Sequence, residues 1–443
     1  MRRRSLVQLT GLSLAAGPRL LWAQDDSRAL RPLNRFPRMV HEHMVARVRE
    51  IEEANLRALE ALRTRADAEA YVARVRAKIR EIFTPSFGTR TSLDARVTGR
   101  LMRDTYVVEK VLFESRPGPH GYAQDSREAM YRWFNRWTGV SRAQTEPKLQ
   151  LEKDQDLWAA PRGQVSVAGS RTVFSFTKER AEALARERRA GPLDGEALVS
   201  AVTHALRLGD ERGTPDFRVL RPVAGRRHGK AGTAVYVVET EPGLQAIVYL
   251  PNDDNRVAQP ARAGRRAILW VADRSSDAEL REDPLADELA RAEPKTPIFA
   301  CDVRGVGESQ PDTCRQDSAD KPYGSDYFYA AAGVMLDRPY VGGKTRDVLR
   351  VLEWLAAFGY EDIHLVGRGR GVVPATFAAL LSDRVTQVTL KNALTSYTAL
   401  ATTERYGWPL STFVPGVLRT FDLDDCYRAL QGKKLRQIEP AGA

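Results

Sequence analysis

Ile363-His364-Leu365-Val366-Gly367-Arg368-Gly369-Arg370-Gly371-Val372 decides how this chain folds. The apolar run Ile363 to Val366 predicts a strand buried on both faces. The alternating glycines predict a tight turn, and Val372 to Leu381 predicts a helix. Strand, turn and helix in direct succession place the turn at the carboxyl edge of a parallel sheet. Gly369, at its centre, tolerates a strained backbone but supplies no side chain. A dinucleotide loop would need a third glycine at another spacing and an acidic residue after the next strand. A Walker loop would need Lys-Ser/Thr, and neither pattern is present.

Outward from this turn the same alternation repeats. Ala267 to Val271, Pro297 to Cys301 and Val385 to Leu390 are near-continuous apolar runs, as buried parallel strands are. Helical patterns run between them at 278–290, 345–357 and 372–381. Val235 to Glu239 and Gln245 to Leu250 read as two strands meeting at a Pro242-Gly243 turn. The fold class expected is α/β, with a mainly parallel, doubly wound sheet. Lys434 to Ile438 is the one candidate for a further strand before Ala443, so the sheet is expected to be truncated at its C-terminal side.

The first half reads differently. Apolar residues recur at helical spacing from His43 to Phe83 with a break near Thr64, predicting two antiparallel helices. Arg103 to Glu114 has the content of a strand, and a helix starts near Asp125. Gln164 to Phe176 predicts a hairpin, with Thr177 capping a helix over 178–189 and a further helix over 195–208. The Gly- and Arg-rich stretch from Gly225 to Gly232 marks a boundary. At the start, Arg2-Arg3-Arg4-Ser5-Leu6 followed by a short apolar run predicts an export signal over residues 1–23. Its paired arginines resemble a twin-arginine signal, and the run is too short to span a membrane.

The net charge of +11 is spread over arginines interleaved with acids, which predicts solvated helix faces and no nucleic-acid partner. Cys301, Cys314 and Cys426 fit neither a disulfide framework nor a metal site. His41-Glu42-His43 places its histidines two residues apart on a helix, off a common face, so no metal is expected.

Asp302-Val303-Arg304-Gly305-Val306-Gly307-Glu308-Ser309 resembles the Asp-x-Arg-Gly-x-Gly-x-Ser loop of α/β-hydrolases, a structural loop held by its acid and arginine. The 363–372 stretch resembles the nucleophile elbow of that fold, normally Gly-x-Ser-x-Gly. Gly367 and Gly371 stand in register with the outer glycines, and Gly369 with the serine. From Val235 onward the chain resembles the acetyl xylan esterases and dienelactone-hydrolase-like relatives. That resemblance implies an ester hydrolase acting through a serine acyl-enzyme, without a cofactor, on acetylated polysaccharide or small esters. Here the serine is missing. All six histidines precede Gly369, so no serine, acid and histidine in family order exist within this domain.

Gly118-Pro119-His120-Gly121-Tyr122 and the segment from Arg127 to Trp137 resemble the histidine loop and last helix of such a domain. This implies a tandem ancestor whose first domain has lost its sheet, leaving His120 as a relic. The organisation expected is then a signal over 1–23, a helical region ending in a strand over 24–118, and a first-domain remnant over 119–140. A linker with hairpin and helices over 141–231 and the truncated hydrolase domain over 232–443 complete it. Arg368 and Arg370 are expected in salt bridges to Asp302 or Glu308, with an anion site at the helix start as the other reading. Tyr323, Tyr327, Phe328 and Tyr329 read either as a sugar-binding cleft or as an aromatic plug.

Overall fold

The computed structural model describes residues 30–83, 96–102, 107–112, 124–146, 152–209, 213–253, 259–261, 264–314, 321 and 323–442. The chain divides into two compact units. One joins residues up to Val48 with Pro192–Tyr397 and Gly407–Ala443; the other holds Arg49–Gly191 and Thr398–Tyr406. The expected export signal lies outside the described residues.

Helices α1 (Met39–Glu60) and α2 (Arg65–Phe83) match the periodicity read from sequence. The break falls at Thr64 because Thr64 Oγ1 accepts the Asp67 amide at 3.2 Å while Asp67 Oδ2 accepts the Thr64 amide at 2.8 Å. Within the second unit, β1 (Arg96–Met102) and β2 (Val107–Leu112) pair antiparallel, with Arg100 and Glu109 facing each other at 2.8 Å. The strand read over 103–114 is thus half of a hairpin. Helix α3 (Gln124–Thr138) and the single turn α4 (Asp154–Leu157) follow.

The hairpin expected over 164–176 is not formed. Val165–Ala168 is a 3-10 turn ended by Gly169 at φ 80°, and α5 (Val173–Ala190) has already begun. Its cap is Thr172, whose hydroxyl accepts the Ser175 amide at 3.3 Å. Thr177 lies inside the helix, its hydroxyl turned back onto the Val173 carbonyl at 3.1 Å. A cap needs a hydroxyl on extended backbone, and of the two threonines Thr172 has it.

This unit buries little apolar surface. Trp133 and Trp137 are 60% and 66% exposed, and Ile51, Val72, Ile79 and Met102 are exposed as well. The described apolar residues it does bury are Ala160, Ala181, Leu184, Ala185 and Leu400. Three are alanines, whose transfer from water contributes little.

The other unit begins its structure upstream of Gly232, with α6 (Gly195–Ala205) and β3 (Phe217–Leu220). The sheet continues through β4 (Gly232–Glu241), β5 (Leu244–Asn252) and β6 (Arg266–Val271). Helices α7 (Ser276–Glu282) and α8 (Pro284–Ala292) follow, where one helix over 278–290 was expected. Asp283 and Pro284 divide them: the Asp283 carboxylate caps α8 through the Leu285 amide at 3.0 Å, and proline opens the helix. Then come β7 (Ile298–Asp302), α9 (Ser325–Met335), α10 (Tyr340–Ala357), β8 (Asp362–Arg368), α11 (Val372–Leu381) and β9 (Val385–Lys391). The chain continues through α12 (Tyr397–Thr402), α13 (Leu423–Leu430) and β10 (Leu435–Ile438).

The strand order is β10-β9-β8-β6-β7-β5-β4-β3. The block from β10 to β7 is parallel, and β5, β4 and β3 extend it antiparallel. This is the mainly parallel α/β sheet that the resemblance implied. Trp354 of α10, fully buried, packs against Phe217, Tyr236 and Phe299, which fixes the helix on the antiparallel side. The order contains one reversal. From β6 the chain crosses to β7 on one side, whereas β8 lies on the other side of β6. The carboxyl ends of β6 and β8 therefore flank a topological switch point, where open α/β sheets form their crevice.

Candidate active site

Gly369 follows β8 directly, at φ +50°. Gly371, next in the turn, approaches the end of β6 so closely that a Cβ would stand 2.7 Å from the Ala272 carbonyl oxygen. The turn is thus pressed onto the loop after β6, and that loop delivers Asp273 to the space above Gly369. A Cβ on Gly369 would lie 2.5 Å from Asp273 Cγ and 2.7 Å from Oδ1. The space that a side chain at residue 369 would take is occupied by a carboxylate from the loop after the neighbouring strand.

Both arginines of the turn hold that carboxylate. Asp273 Oδ1 accepts from the Arg370 amide at 3.0 Å and from Arg370 Nε at 2.9 Å, and Oδ2 accepts from Arg368 Nη1 at 3.0 Å. Arg370 Nη2 also donates to the Asp273 carbonyl at 2.9 Å. Arg368 Nε pairs with Asp283, which takes Lys391 Nζ on its other oxygen at 3.0 Å. Burial alone would raise the Asp273 and Asp283 carboxyls. For Asp273 the Arg370 and Arg368 charges outweigh it; for Asp283 the Leu285 amide, Lys391 and Arg368 do, and both stay below the usual range. Neither arginine reaches Asp302 or Glu308 as expected from sequence. Asp302 ends β7 and Glu308 lies in the loop after it, on the far side of β6.

In a hydrolase elbow the oxyanion is held by the amide after the nucleophile and by an amide of the loop after the third strand. Here the Arg370 amide is bonded to Asp273. The loop amides of Asp273 and Arg274 donate to Glu279 Oε1 at 3.0 and 2.7 Å, and Glu279 Oε2 accepts Trp270 Nε1 at 2.9 Å. Burial holds the Glu279 carboxyl above its ordinary range. The amides at the corresponding places of this turn and loop are thus engaged by internal acids.

The 302–309 loop is held otherwise than its sequence suggests. Asp302 and Arg304 do not pair. Asp302 accepts the Ser276 amide at 2.6 Å and the Glu308 amide at 3.0 Å. Full burial pushes its carboxyl up to about 8 against the lowering effect of those amides. Arg304 forks onto Asp347 of α10, Nε to Oδ2 at 2.9 Å and Nη2 to Oδ1 at 2.6 Å, and reaches Glu241 at 2.6 Å. Glu308 receives Arg35 on both oxygens and the Tyr249 hydroxyl. These acids link the loop to the N-terminal segment, β5 and α7.

His120 lies outside the described residues. One hydroxyl–imidazole–carboxylate line that sequence reasoning missed does occur: Thr233 Oγ1 to His228 Nδ1 at 2.8 Å, and His228 Nε2 to Asp277 Oδ1 at 3.0 Å. Asp277 also binds Arg226 and Arg281, and the His228 side chain is 3% exposed. The line clasps the 226–233 turn to α7. Of the four aromatics between 323 and 329, Tyr329 is buried and bonded to His41 and Thr313, at 3.1 and 2.6 Å. Tyr323, Tyr327 and Phe328 are exposed. His41 and His43 diverge, the first to Tyr329 and the second toward Glu241.

No family model matches the chain, and no curated protein does. Among solved structures, a candidate acetyl xylan esterase from Bacteroides fragilis is similar at 15% identity over 55% of this chain and 66% of its own, with a TM-score of 0.41. An acetyl xylan esterase from Paenibacillus sp. R4 is similar at 15% identity over 54% and 74%, with a TM-score of 0.33. Acetyl xylan esterase 1 from Thermoanaerobacterium is similar at 13% identity over 45% and 59%, with a TM-score of 0.30. The chain spans about two thirds of the length of the first of these and less of the third. The fold itself rests on the strand order and register given above.

Proposed function

We propose that this chain is an exported protein of ester-hydrolase descent, of the acetyl xylan esterase kind, that has no serine-type hydrolytic activity. One observation carries the reading: the Asp273 carboxylate fills the position from which a nucleophile at residue 369 would act. The substrates of descent are acetyl esters of polysaccharides or small esters, and this site offers them neither an Oγ nor a vacant pair of oxyanion donors. The test is incubation of the purified protein with p-nitrophenyl acetate, acetylated xylan and a fluorophosphonate probe. Hydrolysis at the background of general surface groups and no covalent label are expected. A burst of product with a labelled residue, Thr233 included, would overturn the reading.

A second reading, a non-catalytic carbohydrate-binding protein, is favoured by Tyr323 and Tyr327, exposed by 79% and 42% with ring centroids 5.1 Å apart. Exposed aromatic faces stack on sugar rings. Retention of the protein by insoluble acetylated xylan, lost in Tyr323→Ala, is its signature.

A further inference from the structure

The hairpin of β1 and β2 has two unlike faces. Arg100 and Glu109 meet on one of them at 2.8 Å. Arg96, opposite Leu112, and Lys110, opposite Gly99, share the other, because residues directly opposite in an antiparallel pair point to the same side. Thr98 is the extra residue of a bulge between Val97 and Gly99, which brings Arg96 and Gly99 onto one face despite their odd spacing. Its hydroxyl donates to the Ala159 carbonyl at 2.9 Å and so ties the hairpin to the turn after α4.

A groove of about 680 Å³ opens between that hairpin face and the turn, within the roughly 300–1,000 Å³ of small-ligand clefts. Trp158 lines it, 43% exposed. A Cβ on Gly163 would stand 3.0, 3.0 and 3.1 Å from indole Cε2, Nε1 and Cδ1. Near-equal distances to three consecutive ring atoms put that point over the ring and not at its edge. The glycine therefore backs one face of the indole, and the exposed surface is left to the other. Arg162, just before it, keeps left-handed backbone at φ 55°, a conformation arginine seldom adopts. The described lining of the groove includes Arg96, Lys110 and Arg162 and no Asp or Glu. Among the described residues, none of these three cations has an ion pair or hydrogen bond at its side chain, and the side-chain amide of Gln155 beside them is likewise unbonded.

An indole face stacks on the apolar face of a sugar ring, guanidinium and ammonium groups take carboxylates, and a side-chain amide serves hydroxyls as donor and acceptor. The geometry points to a binding groove for an acidic saccharide, with one ring on Trp158 and its carboxylate among Arg96, Lys110 and Arg162. Single-stranded nucleic acid, another polyanion that carries rings, stacks on successive aromatic side chains. The described lining has one. This groove is independent of the hydrolase descent and of Tyr323, which belongs to the other unit.

Calorimetric titration of the full chain with tetragalacturonate tests the groove, beside xylotetraose as an uncharged counterpart and an oligothymidylate of matched charge. One tetragalacturonate per chain is expected, with xylotetraose bound roughly tenfold more weakly for want of carboxylates. Trp158→Ala should weaken binding about tenfold by removing the stacking face. Arg96→Gln and Lys110→Gln should each weaken it about threefold, the size expected of an exposed ion pair, without altering thermal stability, since neither side chain holds a partner. Tyr323→Ala should leave the affinity as it is. Absence of binding, equal binding of the neutral sugar, or full affinity in Trp158→Ala or in the Arg96→Gln and Lys110→Gln double variant would each overturn the proposal. So would tighter binding of the oligothymidylate, which would assign the groove to nucleic acid.

Discussion

The Asp273 carboxylate stands where the side chain of residue 369 would begin, 2.5 Å from the position of its Cβ. The two residues, 96 positions apart in sequence, follow strands that are adjacent in the sheet, with Gly367 in register with Val271. Their relationship has energetic consequences that mutagenesis can read.

Introducing a hydroxyl by Gly369→Ser puts a Cβ on left-handed backbone, which costs about 1 kcal/mol. It also displaces Asp273 from Arg368 and Arg370. A total loss of about 2–4 kcal/mol is expected in denaturant unfolding, with no gain of esterase activity. Asp273→Ala removes the obstruction, so the pair Gly369→Ser with Asp273→Ala should be more stable than the sum of the two single losses. Strict additivity in this cycle would mean that the two positions do not compete for space.

His364, 2% exposed in β8, sets a pH dependence. Burial, outweighing the opposing pull of Glu293, lowers its pKa to about 4 from 6.5. A depressed histidine binds fewer protons folded than unfolded, so stability is complete above about pH 6.5. It falls as the pH drops toward 4, by on the order of 3 kcal/mol. His364→Asn should flatten this part of the melting-temperature profile relative to the unmodified chain. Parallel profiles between pH 4 and 6.5 would exclude His364 as the source.

Arg304, 6% exposed, ties the loop after β7 to α10 through its fork onto Asp347. Lysine keeps the charge but loses the planar two-point contact. Arg304→Lys is therefore expected to destabilise by about 3 kcal/mol in chemical unfolding, close to the cost of breaking a buried pair. A change under about 0.5 kcal/mol would show that the fork is dispensable.

The strands at 267–271, 297–301, 363–366 and 385–390 were legible because burial on both faces writes itself as continuous apolar runs. The turn at Gly369 was legible because its glycines are adjacent in sequence. The partners of its arginines were not. Arg368 and Arg370 could be read as charges in search of acids, but which acids depends on β8 lying beside β6, and strand order is not written in local pattern. The same holds for Arg304, whose partner is 43 residues away. In the first half, a hairpin was expected over 164–176, while the left-handed Gly169 and the Thr172 cap select a turn and a helix instead.

The occupied turn also constrains which substitutions it accepts. A serine introduced at position 369 would meet Asp273 and weaken the fold at that point. Loss of Asp273 alone would remove the acid that Arg368 and Arg370 share. Each single change is disfavoured by itself, so the two positions lock one another: neither residue is free to vary while the other stays as it is.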